Sequence, residues 1–202
     1  RLVVDDTNAR YPIVIDPILT ETADTHLEGN QISAAFGASL ASAGDIDGDG
    51  YADLIIGAPF YDAGQLDEGA AFVFRGSIGG VLDGSPLNAH AQLESNQSGA
   101  RFGASVASAG DVNGDGFSDV IVGAPGYTQD DDAEGAAFVF LGSSLGLTDG
   151  SPATAHARLE GDATDSLFGT SVASAGDVDA DGYADVVVGS PDYPRVGSTG
   201  GA

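Results

Sequence analysis

The 202-residue chain contains no cysteine, methionine, tryptophan or lysine. Without cysteine there are no disulfides and no thiol chemistry, although that absence identifies no compartment. Basic residues number 6, all arginine, against 31 acidic ones, for a formal net charge of −25. So few cations cannot assemble a basic patch, which excludes nucleic acid as a partner and disfavours an anionic membrane surface. An acidic excess of this size suits a soluble protein in a salty medium. No apolar run approaches the ~20 residues that a membrane helix needs, so this segment is not read as inserting directly into a membrane. Helical periodicity is also missing throughout.

What the chain has instead is a repeat. Asp45-Ile-Asp-Gly-Asp-Gly-Tyr-Ala-Asp53 returns 66 residues later as Asp111-Val-Asn-Gly-Asp-Gly-Phe-Ser-Asp119. It returns again at the same interval as Asp177-Val-Asp-Ala-Asp-Gly-Tyr-Ala-Asp185. Calcium is a hard cation that takes six to eight oxygens in a loose shell. Oxygens at positions one, three and five converge if the chain curls tightly: Asp45, Asp47 and Asp49, then Asp111, Asn113 and Asp115, then Asp177, Asp179 and Asp181. Position six must turn sharply and is Gly50, Gly116 or Gly182. Position seven offers only a backbone carbonyl and is aromatic each time, Tyr51, Phe117 and Tyr183. Asp53, Asp119 and Asp185 close the shell at position nine. Three calcium sites are therefore expected.

The loop is not an EF-hand, which needs a bidentate Glu at position twelve and flanking helices. Position twelve is Ile56, Val122 or Val188, inside β-branched runs that read as buried strands. The same apolar residues exclude tandem twelve-residue acidic calcium repeats. The bland alternative makes Asp, Asn and Gly plain turn formers. Three copies in register, each with the ninth-position Asp, weigh against it.

The period extends beyond the loop. Phe36-Gly, Phe102-Gly and Phe168-Gly open the units, and Gly57-Ala-Pro, Gly123-Ala-Pro and Gly189-Ser-Pro follow the loops. Gly69-Ala-Ala-Phe-Val-Phe recurs at Gly135, and Ala89-His-Ala-Gln-Leu-Glu recurs as Ala155-His-Ala-Arg-Leu-Glu. Each unit offers four short strands separated by turn residues. Tandem four-stranded units predict an all-β fold of β-propeller blades. Small residues in the first strand suit the crowded axis. Phe72, Phe74, Phe138 and Phe140 supply bulk between blades. A solenoid is the rival geometry, for which 66 residues is a long coil.

These landmarks resemble FG-GAP repeats, over about residues 25–202. The resemblance implies the seven-bladed propeller of integrin α-subunits and of many bacterial surface and secreted proteins. It also implies calcium-ligand roles for the same fifteen residues that spacing selects. The third copy departs with Ala180 at position four and Ser190 in place of alanine.

About two and a half blades of a probable seven are then present, and the chain is expected to be a fragment. Residues 1–24 read as the tail of a preceding domain or as a linker, and residues 25–35 as a last-strand element of the ring. Blades span 36–101 and 102–167, and a truncated one spans 168–202. No catalytic constellation stands out. His90 and His156 fall on a polar strand face, and Ser39, Ser42, Ser105 and Ser108 recur with the period, as structural residues do. The run Asp130-Asp-Asp132 with Glu134 reads as a solvated turn. The favoured reading is a non-enzymatic, calcium-binding propeller module of an extracellular or cell-surface protein, bacterial in origin. Its loops, residues 59–68 and 125–134 among them, would contact a protein or glycan ligand in adhesion. The alternative is a non-catalytic propeller attached to a secreted phospholipase or polysaccharide-degrading enzyme, and a purely structural spacer comes third.

Overall fold

The structure, a computed structural model, describes residues 25–129 and 133–194. Strands β1 (Ser39–Gly44), β2 (Asp53–Ala58), β3 (Ala70–Phe74) and β4 (Ala91–Glu94) form one antiparallel sheet in chain order. β5 (Ser105–Gly110), β6 (Asp119–Ala124), β7 (Ala136–Phe140) and β8 (Ala157–Glu160) repeat it. β9 (Ser171–Gly176) and β10 (Asp185–Gly189) pair in the same way and begin a third. One 3₁₀ turn at Pro86–Asn88 is the only helical element among the described residues. None is long and apolar enough to cross a membrane. The architecture is all-β, built of four-stranded propeller blades.

Period-two alternation decides what each strand buries. In β3, Ala71 and Val73 join Ile55 and Leu93 in a buried cluster with Val120, Val122, Phe138 and Phe140 of the second blade. Phe72 and Phe74 lie on the opposite face, in a separate cluster with Leu27, Phe36 and Tyr61. Phe138 and Phe140 thus pack between blades as expected, whereas Phe72 and Phe74 sit on the face turned away from the second blade. Each fully buried phenyl ring contributes about 1.5–3 kcal/mol. Ring pairs recur with the period: Phe36 lies 5.9 Å from Phe72, and Phe102 lies 5.7 Å from Phe138.

The sequence landmarks mark where blades touch. A Cβ on Gly57 would come within 2.0 Å of the Gly103 carbonyl oxygen, and one on Gly123 within 2.0 Å of the Gly169 oxygen. The Gly-Ala-Pro glycine of one blade therefore lies against the Phe-Gly glycine of the next. Ser39 and Ser105 donate hydroxyl bonds of 2.8 Å to those same carbonyls. Ser42 and Ser108 each accept a backbone N–H two residues on, from Gly44 and Gly110, where β1 and β5 are bulged. All four serines are bonded to backbone, as structural residues are.

The linker at 95–102 runs between two blades. Gly99 and Phe102 donate to the carbonyls of Leu66 and Glu68 in the first blade. The Gln97 amide both donates to the Thr128 carbonyl and accepts its N–H in the second, each at 2.7 Å. Leu27 makes a parallel bridge to Gly84, as Leu93 does to Gly150. The expected preceding-domain tail at 1–24, the run Asp130–Asp132 and the segment 195–202 lie outside the described residues.

Candidate metal centre

Each acidic loop joins the first two strands of its blade, and position nine is the first residue of the second strand. Asp45 organises the first loop. Its Oδ1 accepts the N–H groups of Gly48 (2.8 Å) and Asp49 (3.1 Å), and its Oδ2 accepts that of Gly50 (2.9 Å). Three donors on one carboxylate curl the chain. Gly50, Gly116 and Gly182 take φ of 89°, 90° and 95°, a region that side chains disfavour. Asp111 accepts the equivalent bonds from Gly114, Asp115 and Gly116. Asp177 accepts from Asp181 and Gly182.

Asp45, Asp47 and Asp49 each place a carboxylate oxygen within 4.8 Å of the others. In the third loop the trio is Asp177, Asp179 and Asp185, with Asp181 outside it. Asn113 interrupts the carboxylates of the second loop, where its Nδ2 donates to Asp115 Oδ2 at 2.9 Å. These all-oxygen donor sets, on a backbone already curled around them, fit a hard divalent cation.

Position nine serves the fold directly. Asp53 is 2% exposed, and its two oxygens accept the N–H groups of Ile46 (2.9 Å) and Gly76 (2.8 Å). Asp119 does the same for Val112 and Gly142. Burial pushes both carboxyls above the ordinary aspartate range. The two backbone bonds oppose that rise, and the neighbouring loop aspartates reinforce it.

The aromatic at position seven reaches back to the preceding blade. A Cβ on Gly48 would meet Phe117 at 2.9 Å, and one on Gly114 would meet Tyr183 at 2.7 Å. Next to each aromatic, the N–H of Ser118 donates to the Asp45 carbonyl and that of Ala184 to the Asp111 carbonyl, both at 2.9 Å. Tyr51 is 39% exposed. Consecutive acidic loops are therefore hydrogen-bonded to one another across the blade boundary.

Two features went unread in the sequence. Arg75 Nε lies 3.1 Å from Asp47 Oδ2, beside the first loop. The available signal was a lone cation after an apolar strand, where the second copy has Leu141. Glu68 is fully buried, and its Oε1 accepts the N–H groups of Ala63 and Gln65, bracing the loop at 59–68. Glu134, expected in a solvated turn, is instead buried and takes the same role toward Gln129. His90, expected on a solvated strand face, is half-buried just before β4, with its Nε2 shielded from solvent.

The FG-GAP repeat model matches residues 36–74, 102–140 and 168–202, more than half of the chain. Integrin alpha-7 of Rattus norvegicus is 40% identical over 81% of the chain. Integrin alpha-4 of Xenopus laevis is 34% identical over 80%, and integrin alpha-PS5 of Drosophila melanogaster 36% identical over 81%. The chain spans only 13%, 15% and 16% of those three relatives. The chain belongs to the FG-GAP repeat family.

Proposed function

We propose that this chain is a calcium-binding part of an extracellular propeller used for adhesion or ligand binding. The observation that carries the reading is the acidic loop, curled by its own backbone bonds in all three copies and bringing carboxylate oxygens together in the first and third. The ion in the first loop would be held by Asp45, Asp47, Asp49, the Tyr51 carbonyl and Asp53. In the second it would be held by Asp111, Asn113, Asp115, the Phe117 carbonyl and Asp119. In the third it would be held by Asp177, Asp179, Asp181, the Tyr183 carbonyl and Asp185. Calcium would neutralise the crowded carboxylates and stiffen the loops that bridge blades.

The ring is proposed to hold seven blades, with residues 25–35 supplying the outer strand of the blade before 36–101. The parallel bridge from Leu27 to Gly84 supports that placement. Blades 36–101, 102–167 and 168–202 would present their loops to a protein or glycan partner. The integrin alpha relatives favour adhesion at a cell surface over attachment to a secreted enzyme, and no observation here favours the enzyme-linked alternative. The relatives reported are animal proteins, so they lend a bacterial origin no support.

Calorimetric titration of chelator-stripped protein should give close to three calcium ions per chain, with dissociation constants on the order of 10⁻⁴ to 10⁻³ M. No binding heat, together with no calcium-dependent rise in melting temperature, would sink the reading.

A further inference from the structure

We propose that Arg75 is a resident counter-cation of the first acidic loop and lowers the calcium affinity of that loop. The inference rests on the calcium reading above and concerns how the sites differ. The Asp47 side chain is only 7% exposed, and Arg75 Nε meets its Oδ2 at 3.1 Å. The other oxygen, Oδ1, accepts the Asp49 N–H. A cation entering the loop must therefore share Asp47 with a guanidinium already on it, and two positive charges on one carboxylate oppose each other.

Arg75 is itself held in place. Its Nη2 donates to the Leu145 carbonyl in the second blade. The turn there closes around it: a Cβ on Gly146 would lie 2.7 Å from Nη2. Retracting from Asp47 would thus disturb a contact between blades.

The repeat supplies internal controls. Leu141 stands where Arg75 would be in the second copy, and that loop carries the neutral Asn113 instead. Asn113 Nδ2 turns its positive end to Asp115 without adding a formal charge. The first loop should therefore bind calcium more weakly than its four carboxylates alone would allow.

The test uses the whole chain, labelled with ¹⁵N and titrated with calcium chloride. The amides of Gly50, Gly116 and Gly182 each donate to the position-one aspartate of their own loop, so each shift reports one site. In Arg75→Leu the Gly50 midpoint should fall about tenfold while Gly116 and Gly182 hold theirs. Leu141→Arg should raise the Gly116 midpoint, and it decides the matter if Arg75→Leu does not fold. A Gly50 midpoint unmoved by Arg75→Leu, or a Gly116 midpoint unmoved by Leu141→Arg, overturns the role of Arg75 and leaves calcium binding standing. Absence of any calcium-dependent shift overturns both.

Discussion

Asn113 is the neutral member of the position-three set that includes Asp47 and Asp179. Its amide bonds Asp115 directly, so replacing it with a carboxylate has two opposed effects. Asn113→Asp should tighten calcium binding at the second loop several-fold, because it adds charge to the shell. It should also lower stability in chelator by about 1 kcal/mol, because a hydrogen bond becomes a repulsion. Paired melts with and without calcium would resolve the two effects, and a loss of the same size in both conditions would remove Asn113 from the ligand set. Asp111→Ala differs in kind. Asp111 accepts three N–H groups, so its loss should cost about 1–2 kcal/mol even in chelator, and more in calcium. Protons compete at position nine. An acid with a raised pKa binds protons more readily when folded than unfolded. Without calcium, the stability that Asp53 and Asp119 contribute is present in acid and lost as pH rises from the ordinary 3.8 through the raised value. Calcium needs the carboxylate form, so its affinity should fall over that same interval as pH drops. Titration at several pH values checks this, and a flat profile would exclude both residues as ligands.

Among the elements, the glycines of the Gly-Ala-Pro motif invite the sharpest test. Gly123→Ala drives a methyl group into a backbone carbonyl of the next blade, which no rotamer can relieve. It should cost about 3 kcal/mol or more in denaturant unfolding. Gly48→Ala meets only the edge of a Phe117 ring, and the third copy already carries Ala180 at φ 63°. That substitution should cost about 1–2 kcal/mol. A neutral Gly123→Ala would mean that the blades are not held at this distance in solution. The acidic loops, the strand runs and the all-β class were legible because each is local: carboxylates two apart, β-branched runs and a fixed period. The reason for Gly57-Ala-Pro was not, since its glycine answers to Gly103 in another blade. Arg75 was hidden in the same way. Asp47 is 28 positions before it and Leu145 is 70 positions after it, and only blade stacking brings the three together. His90 keeps the face of Gln92 and Glu94 that alternation predicts, but its cover comes from the turn at Gly146 in the second blade, which alternation does not report.

For the molecule as a whole, the loops form a chain of contacts. The Ser118 and Ala184 amides report on Asp45 and Asp111 of the preceding loops. Chelation should speed hydrogen exchange at both amides. Asp45→Ala should speed exchange at Ser118 and spare Ala184, and an unchanged Ser118 rate would break the proposed link from loop to loop. The departures of the third copy belong to this scale too. Where Gln31 and Gln97 clamp Asp62 and Thr128, the third linker has Ala163 and the third blade has Pro194, which has no N–H to offer. The Ala34 and Ala100 carbonyls accept from Phe60 and Gly126, whereas the Ser166 carbonyl accepts the Ser190 hydroxyl at 2.6 Å. The third unit thus carries an address different from that of the first two. If the second and third blades traded places, Gln97 would face Pro194 with its amide oxygen unanswered, and Thr128 would face Ala163 with its N–H unmet. A repeat protein faces the hazard of docking the wrong copy as it folds. Here, a few residues outside the repeated motifs make the third blade fit its own position better than that of the second.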